Sequence, residues 1–162
     1  MSRMPEVNQP FTTLVGWREW VGLPDVGVEW IKAKVDTGAK TSSLHVFEPA
    51  EESHHGEPWV CFSIHPWQDS ASDAVTHRCP ILDRRPVRSS SGHTEERIVV
   101  RLAVRLAGRT IDAEVTLTNR DEMGFRMLIG REALVQGYRV DPAGSYLGGR
   151  PHRSTRRRNR GR

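Results

Sequence analysis

The chain has 162 residues, a length that predicts one domain with a single core rather than two lobes around a shared cleft. Its formal net charge of +4 is unevenly distributed, because residues 150–162 hold seven arginines and the rest holds 17 basic against 20 acidic residues. The body of the chain is therefore mildly acidic, and only the tail is basic. The sequence contains no run of about eighteen apolar residues, the length needed to span a bilayer.

Cysteine usage and the N-terminal composition indicate a compartment. The two cysteines stand eighteen residues apart without a paired framework, and residues 1–10 contain no apolar run typical of a signal peptide or a membrane anchor. We therefore expect a cytoplasmic protein with no membrane association. The composition predicts a disordered N-terminus at residues 1–13, a folded domain at 14–149 and a disordered arginine-rich tail at 150–162.

The first strands lead to a turn with one carboxylate. Residues 14–21 predict a strand that ends at a turn over 23–25, where proline and aspartate occur. A second strand, Val28–Val35, alternates apolar side chains with the two lysines at 32 and 34. This strand delivers Asp36 to a small, glycine-containing turn, and residues 41–46 are expected to return as extended chain.

The middle of the chain predicts further strands joined by polar turns. Residues 48–58 have little apolar content and predict an exposed loop. Small residues at 89–92 predict a hairpin tip between Arg84–Arg88 and a long alternating strand. The strands predicted in this part cover residues 59–64, 75–82, 96–106 and 110–118.

The final third contains the single predicted helix. Residues 125–129 predict a buried strand, 130–136 a short helix with Gly137 as its C-terminal cap, and 138–140 a last strand before Asp141 and Pro142. About eight strands and one helix indicate an all-β fold.

Asp36 is the candidate catalytic residue. Peptide hydrolysis without a metal or a covalent intermediate needs two carboxylates that share one proton, so that one acts as base and the other as acid. The chain offers one such position, so a partner carboxylate would come from a second copy across a two-fold axis. The alternative is a turn-capping aspartate whose carboxylate binds backbone amides.

Two segments resemble a known family. Residues 36–39, Asp-Thr-Gly-Ala, resemble the active-site signature of retroviral-type aspartic proteases, and residues 127–131, Met-Leu-Ile-Gly-Arg, resemble the segment that opens their C-terminal helix. Longer strings at residues 16–20, 34–45, 82–85 and 117–121 resemble one bacterial group. It is the retropepsin-like family named ATP-dependent zinc proteases, which includes the protein RimB, associated with the ribosomal-protein glutamate ligase RimK.

The resemblance implies a fold and a set of site residues. The fold would be a retropepsin-like closed barrel with one short C-terminal helix, and the protein would be a homodimer whose Thr37 hydroxyls brace the two active-site loops. Gly38 would permit the tight loop that continues through Ala39, with Ile129, Gly130 and Arg131 in support. The flap over the substrate would be formed by Ser89, Ser90, Ser91 and Gly92, which otherwise make an ordinary hairpin turn.

Two features depart from the retroviral pattern, and the role of Arg131 has two interpretations. Lys40 stands where retroviral enzymes tend to carry an acidic or neutral residue, and an ammonium near the dyad would favour ionised carboxylates over a shared proton. Arg131 is either a surface cation or part of a structural ion pair near the dimer. The segment between the signature and the flap is longer than a minimal retropepsin needs.

Neither zinc nor ATP is supported by the residues, and we predict no cofactor. A His-Glu-x-x-His helix and a glycine-rich phosphate loop are both missing from the sequence. The strongest candidate for a metal site combines Cys61, His65, His77 and Cys79, which could converge if their strands are neighbours.

The sequence therefore predicts a homodimeric aspartic peptidase, or an amidase acting on a peptide-like bond. The alternative is a catalytically quiet subunit that binds a peptide or an ATP-grasp ligase. The expected partners are a second copy, a peptide or protein substrate and such a ligase. The arginine-rich tail is either a solvated end or a weak contact for RNA or an acidic partner.

Overall fold

A computed structural model describes residues 12–68, 70–88, 91–119 and 124–157. Within these ranges the chain forms eleven strands and two single-turn helices, in agreement with the predicted all-β class. The elements are β1 (Thr13–Leu23), β2 (Val28–Val35), β3 (Ser42–His45), β4 (Phe47–His54), β5 (Glu57–Ile64), β6 (Val75–Pro80), β7 (Asp83–Arg88), β8 (Thr94–Leu106), β9 (Arg109–Thr118), β10 (Met127–Ile129), α1 (Arg131–Leu134), β11 (Tyr138–Ser145) and α2 (Arg153–Arg156).

Eight strands form one sheet in the order β11-β1-β2-β10-β3-β9-β8-β7. β1 also pairs with β8 through Gly22 and Arg105. This pairing closes six strands into a ring, in the order β1-β2-β10-β3-β9-β8. The alternation seen in the sequence explains the interior, since β8 and β9 turn their apolar residues inward and leave Arg101, Asp112 and Glu114 toward solvent. The core of the ring includes Ile31, Ala33, Leu44, Val100, Leu102, Val104, Ile111, Val115, Met127 and Ile129.

Residues 48–58 were predicted as a loop, and that prediction is wrong. They form most of a hairpin, β4–β5, which turns at His55 and Gly56 with φ of 53° and 80°. Together with β6 this hairpin makes a separate three-stranded sheet in the order β4-β5-β6. β4 is largely exposed and therefore shows no apolar alternation, which is why its sequence did not predict a strand.

Other element boundaries also differ from the predictions. The strand predicted over 75–82 ends at Pro80, and the chain resumes as β7 at Asp83. β11 continues through Asp141 and Pro142 to Ser145, because an edge strand tolerates a proline that cannot donate a hydrogen bond. The helix predicted over 130–136 is shorter, Arg131–Leu134, and its C-cap is Val135 rather than Gly137. The N–H of Gly137 donates to Leu134 O at 3.3 Å.

The tail contains structure in its described part. α2 forms one helical turn within the region predicted to be disordered, whereas residues 1–11 and 158–162 lie outside the described part of the chain. The proposed domain boundaries stay predictions. No helix in the described ranges is both long and apolar enough to cross a membrane.

A fully buried carboxylate joins the C-terminal segment to β1. Glu19 is 0% exposed, and its oxygens accept hydrogen bonds from the backbone N–H groups of Gly16 at 2.6 Å, Leu147 at 2.9 Å and Gly148 at 2.9 Å. A buried charge persists only where its acceptor capacity is used, and three backbone donors supply that here. Glu19 therefore fixes the chain that follows β11 against the ring.

We expect the substitution Glu19→Ala to destabilise the fold by about 3 kcal/mol or more, because three backbone donors lose a buried acceptor. For a chain of this size the melting temperature should fall by roughly 6–12 °C. Thermal unfolding followed by circular dichroism would measure the change. The control Glu29→Ala removes an exposed glutamate and should stay within about 0.5 kcal/mol of wild type. Equal losses in the two variants would contradict the assigned role.

Candidate functional site

The candidate site lies where β2 ends and the chain turns around the end of β10. β10 is inserted between β2 and β3, with Ile129 beside Val35 in parallel pairing and Met127 beside Leu44 in antiparallel pairing. The N–H of Asp36 donates to Ile129 O at 2.9 Å, which extends the β2–β10 ladder by one residue. The two segments that carry the family resemblance are thus adjacent in space.

The start of α1 holds the second half of the turn. The N–H of Arg131 donates to Ala39 O at 2.7 Å, and the N–H of Glu132 donates to Lys40 O at 3.1 Å. The first N–H groups of a helix have no partner within the helix, so the turn supplies the acceptors that α1 needs. The turn from Asp36 to Lys40 is consequently anchored to β10 at one end and to α1 at the other.

Gly130 permits the close approach of these two segments. A Cβ atom at Gly130 would lie 2.6 Å from the carbonyl carbon and 2.8 Å from the carbonyl oxygen of Thr41. Backbone atoms cannot move aside as a flexible side chain can. Gly130 is therefore required by packing against the turn.

Ser42 is a buried member of the site that the sequence did not reveal. Its side chain is almost wholly enclosed, and its Oγ accepts a hydrogen bond from the N–H of Gly130 at 3.0 Å. Its backbone carbonyl accepts a hydrogen bond from Thr116 Oγ1 at 3.3 Å. Ser42 thus ties the start of β3 to both α1 and β9, and only the fold identifies that role, because a serine after a turn is common.

Arg126 holds the other end of β10. Its side chain is 6% exposed, donates from Nη1 to His45 Nδ1 at 3.0 Å, and donates from Nη2 to Trp67 O at 3.2 Å. Phe47 stacks between His45 and His65, with ring centroids 4.4 Å and 3.6 Å apart, and lies 5.2 Å from the Arg126 guanidinium. Burial and the nearby Arg126 cation lower the pKa of His65.

The Asp36 carboxylate combines a structural contact with an open oxygen. Its Oδ1 accepts a hydrogen bond from the N–H of Gly38 at 2.9 Å, the turn-capping contact that the sequence left as an alternative. No hydrogen bond to Oδ2 occurs within the described ranges of the chain, and the residue is half-buried while Thr37 and Gly38 are exposed. One oxygen is thereby oriented and the other can receive a water molecule or a proton.

Lys40 faces α1. Its Nζ lies 3.8 Å from Glu132 Oε1, and both side chains are largely exposed, at 72% and 49%. Exposed pairs of this kind contribute little to stability. The ammonium that the sequence placed near the signature is thus paired with a carboxylate of α1, and its effect on a dyad stays a prediction.

Arg131 is exposed at the start of α1, which agrees with the surface-cation interpretation, and an ion pair near a dimer stays a prediction. Its Nη1 donates a hydrogen bond to Thr37 O at 3.2 Å, in addition to the backbone contact with Ala39. Arg131 therefore contacts the turn from Asp36 to Lys40 twice, once through its backbone and once through its guanidinium.

The predicted flap tip lies partly within the described residues. Ser89 and Ser90 are outside them, whereas Ser91 and Gly92 form an exposed turn with a Gly92 φ of 87°. The flanking strands β7 and β8 pair in antiparallel register as far as Arg88 and Thr94. The hairpin is present, and its role as a flap stays a prediction.

The four residues considered for zinc do not converge. β5 and β6 are neighbours, but Val60 pairs with Cys79, and Cys61 pairs with Arg78. Because successive residues of a strand point to opposite faces, Cys61 and Cys79 lie on opposite faces of this sheet. His77 pairs with Phe62 and so shares the face of Cys79. No group of three or more metal-ligating side chains occurs within the part of the chain that the structure describes, and the absence of a cofactor stays a prediction.

The two thiols should differ in reactivity. Cys79 is buried, and burial raises the pKa of its thiol to about 11, whereas Cys61 is partly exposed. At pH 8 roughly one Cys79 thiol in a thousand is then ionised. We expect iodoacetamide to label Cys61 first and Cys79 only after unfolding in urea, as measured by mass spectrometry of peptides. Cys61→Ser provides the control, and rapid labelling of the native variant would contradict this placement.

A cavity of about 240 Å³ lies beside α1 and does not include Asp36. Ser42, Ala113 and Ala133 are buried residues of its lining, and the charged residues around it are Arg101, Asp112, Glu114 and Glu132. The candidate catalytic carboxylate therefore lies on the exposed turn, outside this cavity.

Replacing Gly130 by alanine should destabilise the fold by about 1–3 kcal/mol, because the added methyl group meets the Thr41 backbone. Gly38→Ala is the matched comparison, since its Cβ would meet only Asp36 Oδ1, at 3.2 Å. Urea unfolding of both variants would test this difference. A Gly130→Ala variant as stable as Gly38→Ala would contradict the packing described for α1.

The family comparison covers most of the chain. A family model described as RimB-like, "Retropepsin-like aspartic endopeptidase RimB", matches residues 14–151. The match includes the turn, β10 and α1, which are the elements that form the candidate site.

Individual relatives are ligases by name. A "Probable alpha-L-glutamate ligase" of Shewanella pealeana is 44% identical over 133 residues, 82% of this chain and 29% of that protein. A protein of the same name from Parasynechococcus marenigrum is 46% identical over 133 residues, 82% of this chain and 28% of its own length. The chain therefore spans less than a third of these relatives.

One solved structure is also similar. The crystal structure of a Legionella pneumophila protein of unknown function aligns with a TM-score of 0.70 and 26% identity. The alignment covers 84% of this chain and 98% of that one.

Proposed function

Because the chain belongs to the RimB-like family of retropepsin-like aspartic endopeptidases, we propose that it is an aspartic-type peptidase, or an amidase acting on a peptide-like bond. The observation that carries the proposal is the Asp36 carboxylate, with Oδ1 fixed by the Gly38 amide on a turn that is itself held by β10 and α1. A catalytic carboxylate must be held in one orientation while it remains accessible, and this turn meets both requirements.

The reaction requires a second carboxylate. In the proposed homodimer the Asp36 residues of two copies meet on the two-fold axis and share one proton. The ionised carboxylate takes a proton from water as the water attacks the carbonyl carbon, and the protonated carboxylate donates its proton to the carbonyl oxygen. The exposure of Thr37 and Gly38 supports this assembly, because it leaves the turn accessible to a second copy.

The names of the relatives suggest a substrate. An alpha-L-glutamate ligase forms amide bonds to glutamate. The relatives that bear this name carry a region similar to this chain within one longer polypeptide. We propose peptides that contain α-linked glutamate as the first substrates to test. A hydrolase active on the product of such a ligase would add water across the amide bond that the ligase forms and release the acid and the amine.

The presence of a similar region within proteins named as ligases also favours a second candidate, a binding subunit. A region carried within a ligase polypeptide could hold the peptide for the ligase without cleaving it. The two candidates differ in whether the Asp36 carboxylate is needed for turnover or only for the shape of the turn.

We expect Asp36→Asn to lower peptide cleavage by roughly a thousandfold or more, because an amide can act neither as the base nor as the acid. Asparagine keeps an oxygen that can accept the Gly38 N–H, so the turn and the dimer should persist. Cleavage of glutamate-containing peptides, followed by mass spectrometry, and sedimentation of the same samples would measure the two properties.

The control for this experiment is Asp141→Asn in β11, where the oxygen that accepts the Ala143 N–H is retained. This variant should cleave peptides at the wild-type rate. Unchanged cleavage by Asp36→Asn would refute the peptidase. Peptide binding without cleavage at any pH, by wild type and variant alike, would establish the binding subunit instead.

A further inference from the structure

One peptide group links the candidate catalytic carboxylate to a cation. The N–H of Gly38 donates to Asp36 Oδ1 at 2.9 Å, and the carbonyl oxygen of Thr37 accepts from Arg131 Nη1 at 3.2 Å. These two groups belong to the same amide, the peptide bond between Thr37 and Gly38. Because the C=O and N–H of a trans peptide share one conjugated plane and point in opposite directions, Arg131 and the Asp36 carboxylate contact opposite ends of one rigid unit.

This arrangement has an electronic consequence. A cation that binds the carbonyl oxygen draws electron density from the amide nitrogen, so the N–H at the other end becomes a stronger donor. A stronger donor to a carboxylate favours the ionised form of that carboxylate. Arg131 can therefore act on the charge of Asp36 without touching it.

The arrangement also has a geometric consequence. Arg131 is the first residue of α1, and its own N–H binds Ala39 O at 2.7 Å. The backbone of Arg131 is thus anchored at Ala39, and its guanidinium reaches the carbonyl of Thr37, two residues before Ala39 in the same turn. Rotation of the Thr37–Gly38 peptide would break both hydrogen bonds together, so the guanidinium restricts the plane that orients Oδ1.

The other nearby cations are placed differently. The Lys40 ammonium lies 3.8 Å from the Glu132 carboxylate, and its side chain is 72% exposed. Lys34 precedes Asp36 by two residues at the end of β2. Arg131 is the cation that is hydrogen-bonded to the peptide that holds Asp36.

We propose that Arg131 is a positioning residue for the peptidase reaction, acting through the Thr37–Gly38 peptide to orient the Asp36 carboxylate and to favour the ionised form of the one carboxylate that acts as base. This inference rests on the proposed function. The distinctive expectation is an effect on the pH dependence of the reaction, which a purely structural arginine would not produce.

The substitution Arg131→Met retains the apolar stem and removes the guanidinium. We expect kcat to fall roughly tenfold with little change in KM, because the turn would be less well oriented while the substrate-binding surface remains. Loss of the support for the ionised carboxylate means that the carboxylate takes up a proton at higher pH. The acid limb of the kcat/KM profile should therefore move to higher pH.

Two further variants separate this role from simple stability. Arg131→Lys keeps a cation that can donate to Thr37 O and should restore part of the rate and of the pH profile. Arg139→Met removes an exposed arginine of β11 and should leave both unchanged. A pH profile of Arg131→Met identical to that of wild type would overturn the proposal, as would a shifted profile in Arg139→Met.

A second measurement does not depend on turnover. The amide proton of Gly38, observed by nuclear magnetic resonance in the full chain, should move downfield as the Asp36 carboxylate ionises. In Arg131→Met this resonance should lie upfield of the wild-type position at neutral pH, and Arg131→Lys should lie between the two.

The two readouts distinguish the possible failures. If wild type cleaves no peptide but the Gly38 resonance responds as expected, the peptidase is refuted and the link between Arg131 and Asp36 stands. If the Gly38 resonance is the same in wild type and both Arg131 variants, the proposal fails whatever the activity of the enzyme.

Discussion

The insertion of β10 between β2 and β3 is the constraint on which the candidate site depends. β10 has only three residues, yet it pairs in parallel with β2 on one side and in antiparallel with β3 on the other. The chain between β2 and β3 must therefore pass around the end of β10, where Gly130 lies against Thr41. Hydrogen bonds to Ile129 O at one end, and from the N–H groups of Arg131 and Glu132 at the other, hold the turn that carries Asp36.

Buried polar groups secure segments of the chain outside the turn. Glu19, Ser42 and Arg126 are each less than a tenth exposed, and each binds backbone atoms that are distant in sequence. Contacts of this kind are specific, since an unpaired buried polar group costs free energy that an apolar contact would not. The ring of strands supplies the hydrophobic core, and these three side chains fix the segments that the ring alone would leave loosely placed.

The Asp36 carboxylate shows that a structural and a catalytic interpretation need not compete. The turn-capping hydrogen bond from Gly38 uses one oxygen, and no hydrogen bond to the other oxygen occurs within the described ranges of the chain. In the reaction proposed above, the capping bond orients the carboxylate. The three-stranded sheet is a separate feature, joined to the hairpin of β7 by the ion pair of Glu51 and Arg84. It accounts for the extra length between the signature and the predicted flap.

The sequence by itself determined the all-β class, the family and the position of Asp36 at the end of an alternating strand, because these depend on local periodicity and on short contiguous strings. It did not determine the hairpin at residues 48–58, whose exposed strand β4 carries no apolar pattern. The opposite orientation of Cys61 and Cys79 was also undetermined, since strand register depends on pairing rather than on spacing. Only the tertiary structure brought Ser42 and Arg126 to the candidate site, and only it showed that Arg131, which the family resemblance had placed in support, donates to Thr37 O. Hydrogen bonds between residues 59 to 94 positions apart depend on how the strands are ordered in space, and the sequence around each residue does not indicate that order.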